Sequence, residues 1–203
     1  MPTTRRLLIA TAATLPAWAL SRPARAEDAD ARMAERTLGA ADAKVVVTEW
    51  FSMTCTHCAA FQKETFPSIR SKLIDTGRVR YVWRDFPLDQ VALTAAMVAR
   101  ALPPERYEPF VTALLGTQDR WAFARNVNST DELAKYAALA GMSRTTFNTV
   151  IGDAALKNEI LAAQAEAEKA GVDSTPTFFM NGKPTKGAVS YADFEKAVDA
   201  AVA

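Results

Sequence analysis

An α/β fold carrying a long helical insertion is what this sequence predicts, and three observations support it. A run of strand formers, Val45 to Phe51, leads through Cys55-Thr56-His57-Cys58 into a stretch with helical periodicity, Ala59 to Ile74. A second strand pattern, Arg78 to Phe86, comes next, and from Leu88 to Gly171 nothing reads as strand. Strand character then returns at Thr177-Phe178-Phe179-Met180, ahead of the hairpin signal Asn181-Gly182 and a closing amphipathic helix.

The chain has 203 residues, enough for one domain with a sizeable core or one domain with an insertion. Apolar residues at 49% and charged residues at 23% are near the averages for globular proteins, against disordered, collagen-like or coiled-coil classes. Met1 to Ala26 reads as an export signal: Arg5 and Arg6 open it, Leu7 to Leu20 is uncharged, and Ala24-Arg25-Ala26 is a small-x-small cleavage site. The uncharged run falls short of the roughly 20 residues a spanning helix needs. Thr4-Arg5-Arg6-Leu7-Leu8 fits a twin-arginine signal, and a general secretory signal also accommodates it. Without its four arginines the 24 basic residues become 20 against 23 acids, a balance of −3 that offers nothing to nucleic acid.

In the exported portion, Glu27 to Ala43 is a polar lead-in with Arg36-Thr37-Leu38 as a short edge strand. Lys44 to Phe51 is a nearly continuous apolar strand, as expected where both faces are covered; Glu49 interrupts it. Thr54 is expected to cap the following helix and to leave Cys55 at an exposed first turn. Phe61, Thr65, Ile69 and Leu73 mark its buried stripe, and Pro67 should break it. Gly77 ends the segment, and Val79, Tyr81 and Trp83 then alternate with Arg80 and Arg84.

The helical block runs Gln90 to Leu102 up to Pro103-Pro104, then Tyr107 to Leu115, with Gln118 to Asn128 as a loop. Ser129-Thr130-Asp131-Glu132 is a capping box launching a helix to Ala140 that stops at Gly141. Ser143 can cap the next helix, and Ala154 to Ala170 ends at Gly171. After the hairpin turn, Pro184 to Val189 should pair back. Ser190 and Asp193 begin the last helix, with Phe194, Ala197, Val198 and Ala201 on its apolar face.

The chemistry points to two residues. Cys55 and Cys58 are the only cysteines, and the only histidine, His57, lies between them. An exported protein using disulfides structurally spreads several pairs across its loops, whereas this pair closes too small a loop to gain much from chain entropy. A Cys-x-x-Cys after a strand and at a helix start is the setting of a thiol–disulfide redox site. Only a thiolate attacks a disulfide, and the helix start offers unpaired N–H groups and a positive dipole end to stabilise one. His57 adds a donor, or a charge when protonated, in the same turn. A structural zinc site needs four ligands, and no further cysteine or histidine exists. No cofactor is expected beyond the redox-active Cys55–Cys58 disulfide.

The order of elements is thioredoxin-like with an inserted all-helical domain. Through Glu49 to Cys58, Ser174 to Gly182 and the position of the insertion, the sequence resembles the DsbA family of periplasmic thiol oxidases across essentially the whole mature chain. The resemblance implies residues 1–26 as signal, 27–87 and 172–203 as two parts of a thioredoxin-like domain, and 88–171 as the insertion. It also implies a low pKa at Cys55, which stabilises the reduced form and makes the disulfide oxidising. Clients would be reduced exported proteins, whose thiol attacks Cys55 to form a mixed disulfide, with Cys58 the deeper thiol of higher pKa. Re-oxidation would come from a quinone-linked membrane thiol oxidase of the DsbB type, and a periplasmic monomer is expected.

Periodicity leaves Glu49 open between a buried acid and an edge residue; the resemblance makes it the acid that shuttles protons for Cys58, with a pKa raised by desolvation. Pro176 could simply open a strand, but the family places a cis-proline loop against its first cysteine, and Thr175-Pro176 matches that loop. Thr56, Thr175, Pro176 and Met53 are therefore the expected substrate contacts, while Trp50, Trp83, Trp121 and Phe123 are assigned to the core. The chain departs from the family at Thr56, where the best-known members carry proline, and at Thr175, a residue type found in several isomerases and reductases. Both bear on oxidising strength. A reductase or isomerase of the same fold is the nearest rival reading; a metal-binding or copper-delivery module using Cys55, His57 and Cys58 is the rival from another class.

Overall fold

The computed structural model describes residues 30–186 and 190–202. The expected export signal and the end of the returning strand at Val189 lie outside them. Five strands form one sheet: β1 (Arg36–Leu38), β2 (Val45–Phe51), β3 (Val79–Asp85), β4 (Thr177–Met180) and β5 (Lys183–Lys186), in the order β1-β3-β2-β4-β5. β2 and β3 run parallel, with Glu49 opposite Trp83, while β1, β4 and β5 join antiparallel. Asn181 and Gly182 take positive φ angles of 47° and 80°, as a tight hairpin between β4 and β5 requires. β5 is an outer strand, with Lys183 and Pro184 paired to Met180 and Phe179.

Between β2 and β3 the chain is helical but broken. α1 (Thr56–Glu64) ends where Pro67 enters, α2 (Phe66–Ile69) restarts with that proline in its first turn, and a five-residue π turn, Arg70–Ile74, finishes the segment. Pro67 has no N–H to continue the ladder, so the break falls where expected. Phe61, Ile69 and Leu73 are buried along the stripe.

Six helices separate β3 from β4: α3 (Gln90–Ala101), α4 (Pro104–Leu115), α5 (Gln118–Trp121), α6 (Ser129–Leu139), α7 (Arg144–Ile151) and α8 (Ala154–Lys169). Two expectations need correction here. The predicted loop from Gln118 begins with the one-turn helix α5. The cap of α6 is Asn128, whose Oδ1 accepts from the Thr130 and Asp131 N–H groups; Ser129 is the first helical residue. Ser143 caps α7 as expected, and α9 (Tyr191–Val202) buries Phe194 and Val198.

One continuous apolar cluster joins the sheet, α1 and the inserted helices, with Trp83 and Trp121 buried inside it. Phe123, assigned above to the core, is instead 52% exposed. A buried polar clamp reinforces the junction. Arg100 of α3 pairs with Asp85 at the end of β3 (2.5 Å), and Arg36 of β1 donates to the Arg100 carbonyl (2.7 Å). Strand, helix, strand, helical insertion, hairpin and closing helix is the thioredoxin-like architecture that the sequence predicted.

Candidate active site

The thiols sit where β2 ends and α1 begins. Ser52 to Cys55 form a tight loop in which the Cys55 N–H donates to the Ser52 carbonyl (3.1 Å). The cap of α1 is Cys55 itself, correcting the expectation of Thr54. Its sulfur takes the place a capping hydroxyl fills elsewhere, accepting from the Cys58 N–H at 3.4 Å. Thr54 turns the other way and donates from Oγ1 to Asp89 Oδ2 (2.7 Å), while Asp89 Oδ1 caps α3 through the Ala92 N–H. Cys55 is also less open than expected, at 6% exposure.

Both cysteines are free thiols, in different environments. The Cys55 thiol is held down to about 5: the Cys58 thiol donates to it, Thr175 contacts it, and the backbone N–H groups of Cys58 and His57 face it, together outweighing burial. Cys58 is fully buried, and that burial pushes its thiol far up, aided by the bond to Cys55 and the charge of Glu49.

The Thr175–Pro176 bond is cis, as expected, and the loop sits against the first thiol: Cys55 Sγ lies 3.3 Å from the Thr175 carbonyl. Thr175 Oγ1 is buried without a hydrogen-bond partner among the described residues. Glu49 is buried on β2, where Tyr81 Oη donates to its Oε2 at 2.8 Å. Burial pushes its carboxyl up to about 8, and the Tyr81 bond only partly opposes that. Of the two alternatives for Glu49, the interior one is observed.

The remaining expected site residues divide. Thr56 and His57 are exposed on the first turn of α1, and the His57 ring makes no hydrogen bond among the described residues. What His57 gives Cys55 is its backbone N–H. The Met53 side chain is buried at 2% exposure, and its carbonyl accepts from Gln118 Nε2. Asp89 and Gln118 are site neighbours that sequence reasoning missed. Asp89 had a legible signal as a capping residue just before Gln90; Gln118, in the predicted loop, had none.

A thioredoxin fold with a cis-proline loop against a Cys-x-x-Cys at a helix start defines the class of thioredoxin-fold dithiol proteins. The family model described as thioredoxin matches residues 32–200, and the chain belongs to that family. Among similar structures is that of Wolbachia pipientis alpha-DsbA1, at 30% identity and a TM-score of 0.76, covering 84% of this chain and 92% of that one. A Rickettsia typhi protein, provisionally named a protein-disulfide oxidoreductase, is 31% identical over 170 residues, which are 83% of this chain and 62% of that protein. The thiol:disulfide interchange protein DsbA of Bordetella parapertussis is 26% identical over 164 residues, 77% of this chain and 74% of its own. Within the thioredoxin family, then, the relatives are DsbA-like, and the chain spans about three fifths of the length of the Rickettsia protein.

Proposed function

We propose that the protein is an exported dithiol:disulfide oxidase that donates the Cys55–Cys58 disulfide to reduced client proteins. The observation that supports this best is the contrast between the two thiols: a partly shielded Cys55 held down to about 5 and a buried Cys58 pushed far up. A stabilised Cys55 thiolate stabilises the reduced enzyme and makes its disulfide a strong oxidant.

In the forward reaction a client thiolate attacks Cys55 Sγ, the Cys55–Cys58 bond breaks, and Cys58 leaves with the electron pair. Glu49, neutral below about 8, supplies the proton that the buried Cys58 thiolate needs. A second client thiolate then attacks the client sulfur of the mixed disulfide and releases Cys55 as thiolate. The client has lost two electrons and the enzyme holds them as a dithiol. A membrane thiol oxidase linked to quinone would take them away. The edges of the cis-Pro176 loop, with Thr175 beside Cys55, suit an extended client chain. Residues 27–87 and 172–203 act here as one thioredoxin-like unit bearing the 88–171 insertion, delivered to the periplasm by residues 1–26.

The reduction potential of the pair, set by equilibration with glutathione buffers, tests the direction. A potential near about −120 mV is the expected result; one near about −270 mV, as in thioredoxin, would make the protein a reductase.

A further inference from the structure

The inserted helices reach the thiol loop through one amide. Gln118 opens α5, is 7% exposed, and donates from Nε2 to the carbonyls of Met53 (2.8 Å) and Cys55 (3.0 Å). α5 is itself anchored, since buried Trp121 donates from Nε1 to the Leu114 carbonyl of α4 (2.8 Å). The Cys55 carbonyl also accepts the Ala59 N–H (3.1 Å), so two donors meet it at the residue that carries the reacting sulfur.

We propose that Gln118 is a positioning residue for thiol–disulfide exchange, setting the reactivity of Cys55 from the helical insertion. The inference rests on Cys55 being the thiol that reacts. Two physical effects act in the same direction. A carbonyl oxygen beside a thiolate places negative charge next to negative charge, and a donor on that oxygen offsets it. The same two bonds fix the loop that holds Sγ within 3.4 Å of the Cys58 N–H, a contact that stabilises the thiolate and weakens when the loop shifts. Gln118 touches neither sulfur and acts only through the backbone that carries one of them.

A merely structural Gln118 would satisfy two buried carbonyls, and its loss would cost stability without touching the titration of Cys55. The experiment compares Gln118→Leu and Gln118→Glu with Trp121→Phe, which removes the anchor bond of the same short helix but no donor to the loop. Each full-length reduced protein is titrated by thiolate ultraviolet absorbance and by the pH dependence of alkylation, and its potential is measured against glutathione. Gln118→Leu should raise the Cys55 midpoint by about half a unit, roughly a threefold fall in the thiolate-to-thiol ratio, and make the disulfide less oxidising. Gln118→Glu, ionised, should raise it at least as far, and Trp121→Phe should lower stability while leaving the midpoint in place. Unchanged midpoints in both Gln118 variants, or an equal shift in Trp121→Phe, would overturn the proposal. Wild-type turnover with a reduced client, measured alongside, separates this outcome from failure of the oxidase reading: an inactive wild type sinks that reading, while the titration still decides on Gln118.

Discussion

At the scale of single residues, the site works by setting two identical side chains apart. Cys55 caps a helix and meets backbone donors, whereas Cys58 lies one turn deeper, where burial and the Glu49 carboxylate both penalise its charge. Cys55→Ser should abolish exchange. Cys58→Ser should instead accumulate mixed disulfides with disulfide-bearing clients, visible as client-sized mass shifts on non-reducing gels. The Cys55 thiolate displaces one client sulfur, and no Cys58 thiol remains to release it. Glu49 makes a separable prediction. With its carboxyl raised to about 8, it is protonated at neutral pH and can serve the leaving Cys58. Glu49→Gln should slow formation of the mixed disulfide by about 100-fold, within the range of general acid catalysis. The wild-type rate per client thiolate should fall as pH rises through about 8, and that limb should be missing from the Glu49→Gln profile recorded by stopped-flow.

Elements explain which parts of the site could be read in advance. Strand periodicity, the break at Pro67 and the Asn181-Gly182 turn all act within a few residues of chain, and they appear where the sequence placed them. The Thr175-Pro176 loop, which meets Cys55 across 120 residues, is legible only through the family resemblance. The failures are of two kinds. Caps slipped by one residue, because Thr54 and Cys55, like Asn128 and Ser129, offer neighbouring acceptors that local pattern does not separate. Thr54 is drawn away by Asp89, leaving the sulfur to cap α1. Partners distant in sequence, such as Gln118 with Cys55 or Arg100 with Asp85, carry no local pattern at all. Asp89 makes the element-scale prediction. It caps α3 and holds the thiol loop, so Asp89→Ala should cost about 1–2 kcal/mol, most of it the cap. Urea unfolding checks this: the midpoint should fall while the slope against denaturant stays unchanged.

For the whole molecule, the depressed Cys55 pKa becomes a statement about stability. The folded reduced protein loses the Cys55 proton at about 5, against an ordinary value of 9.0. Between those values the unfolded chain keeps the Cys55 proton that the folded chain has lost, so the Cys55 contribution to stability rises with pH; Glu49, raised to about 8, contributes in the opposite sense, and the comparison with the oxidised form isolates the Cys55 part. The stabilisation is complete near pH 9 and is lost as pH falls through about 5. The oxidised protein has no such thiol, so the stability of the reduced form relative to the oxidised form should grow as pH rises from about 5 to about 9 and shrink as it falls back. Paired thermal melts of the two forms at several pH values test this, and parallel curves would contradict the Cys55 assignment. The raised Cys58 does not interfere, because its proton stays on throughout that range.

The outer strand β5 has its own bearing on the company this protein would keep. Under the proposed function the protein would meet unfolded polypeptide, the material most ready to add itself to an open sheet edge and start a growing aggregate. Pro184 removes a main-chain donor from that edge, and Lys183 is an exposed cation on the same strand. Capture of a client there is discouraged by covalent structure and charge, and the sheet can work among sticky chains without becoming their template.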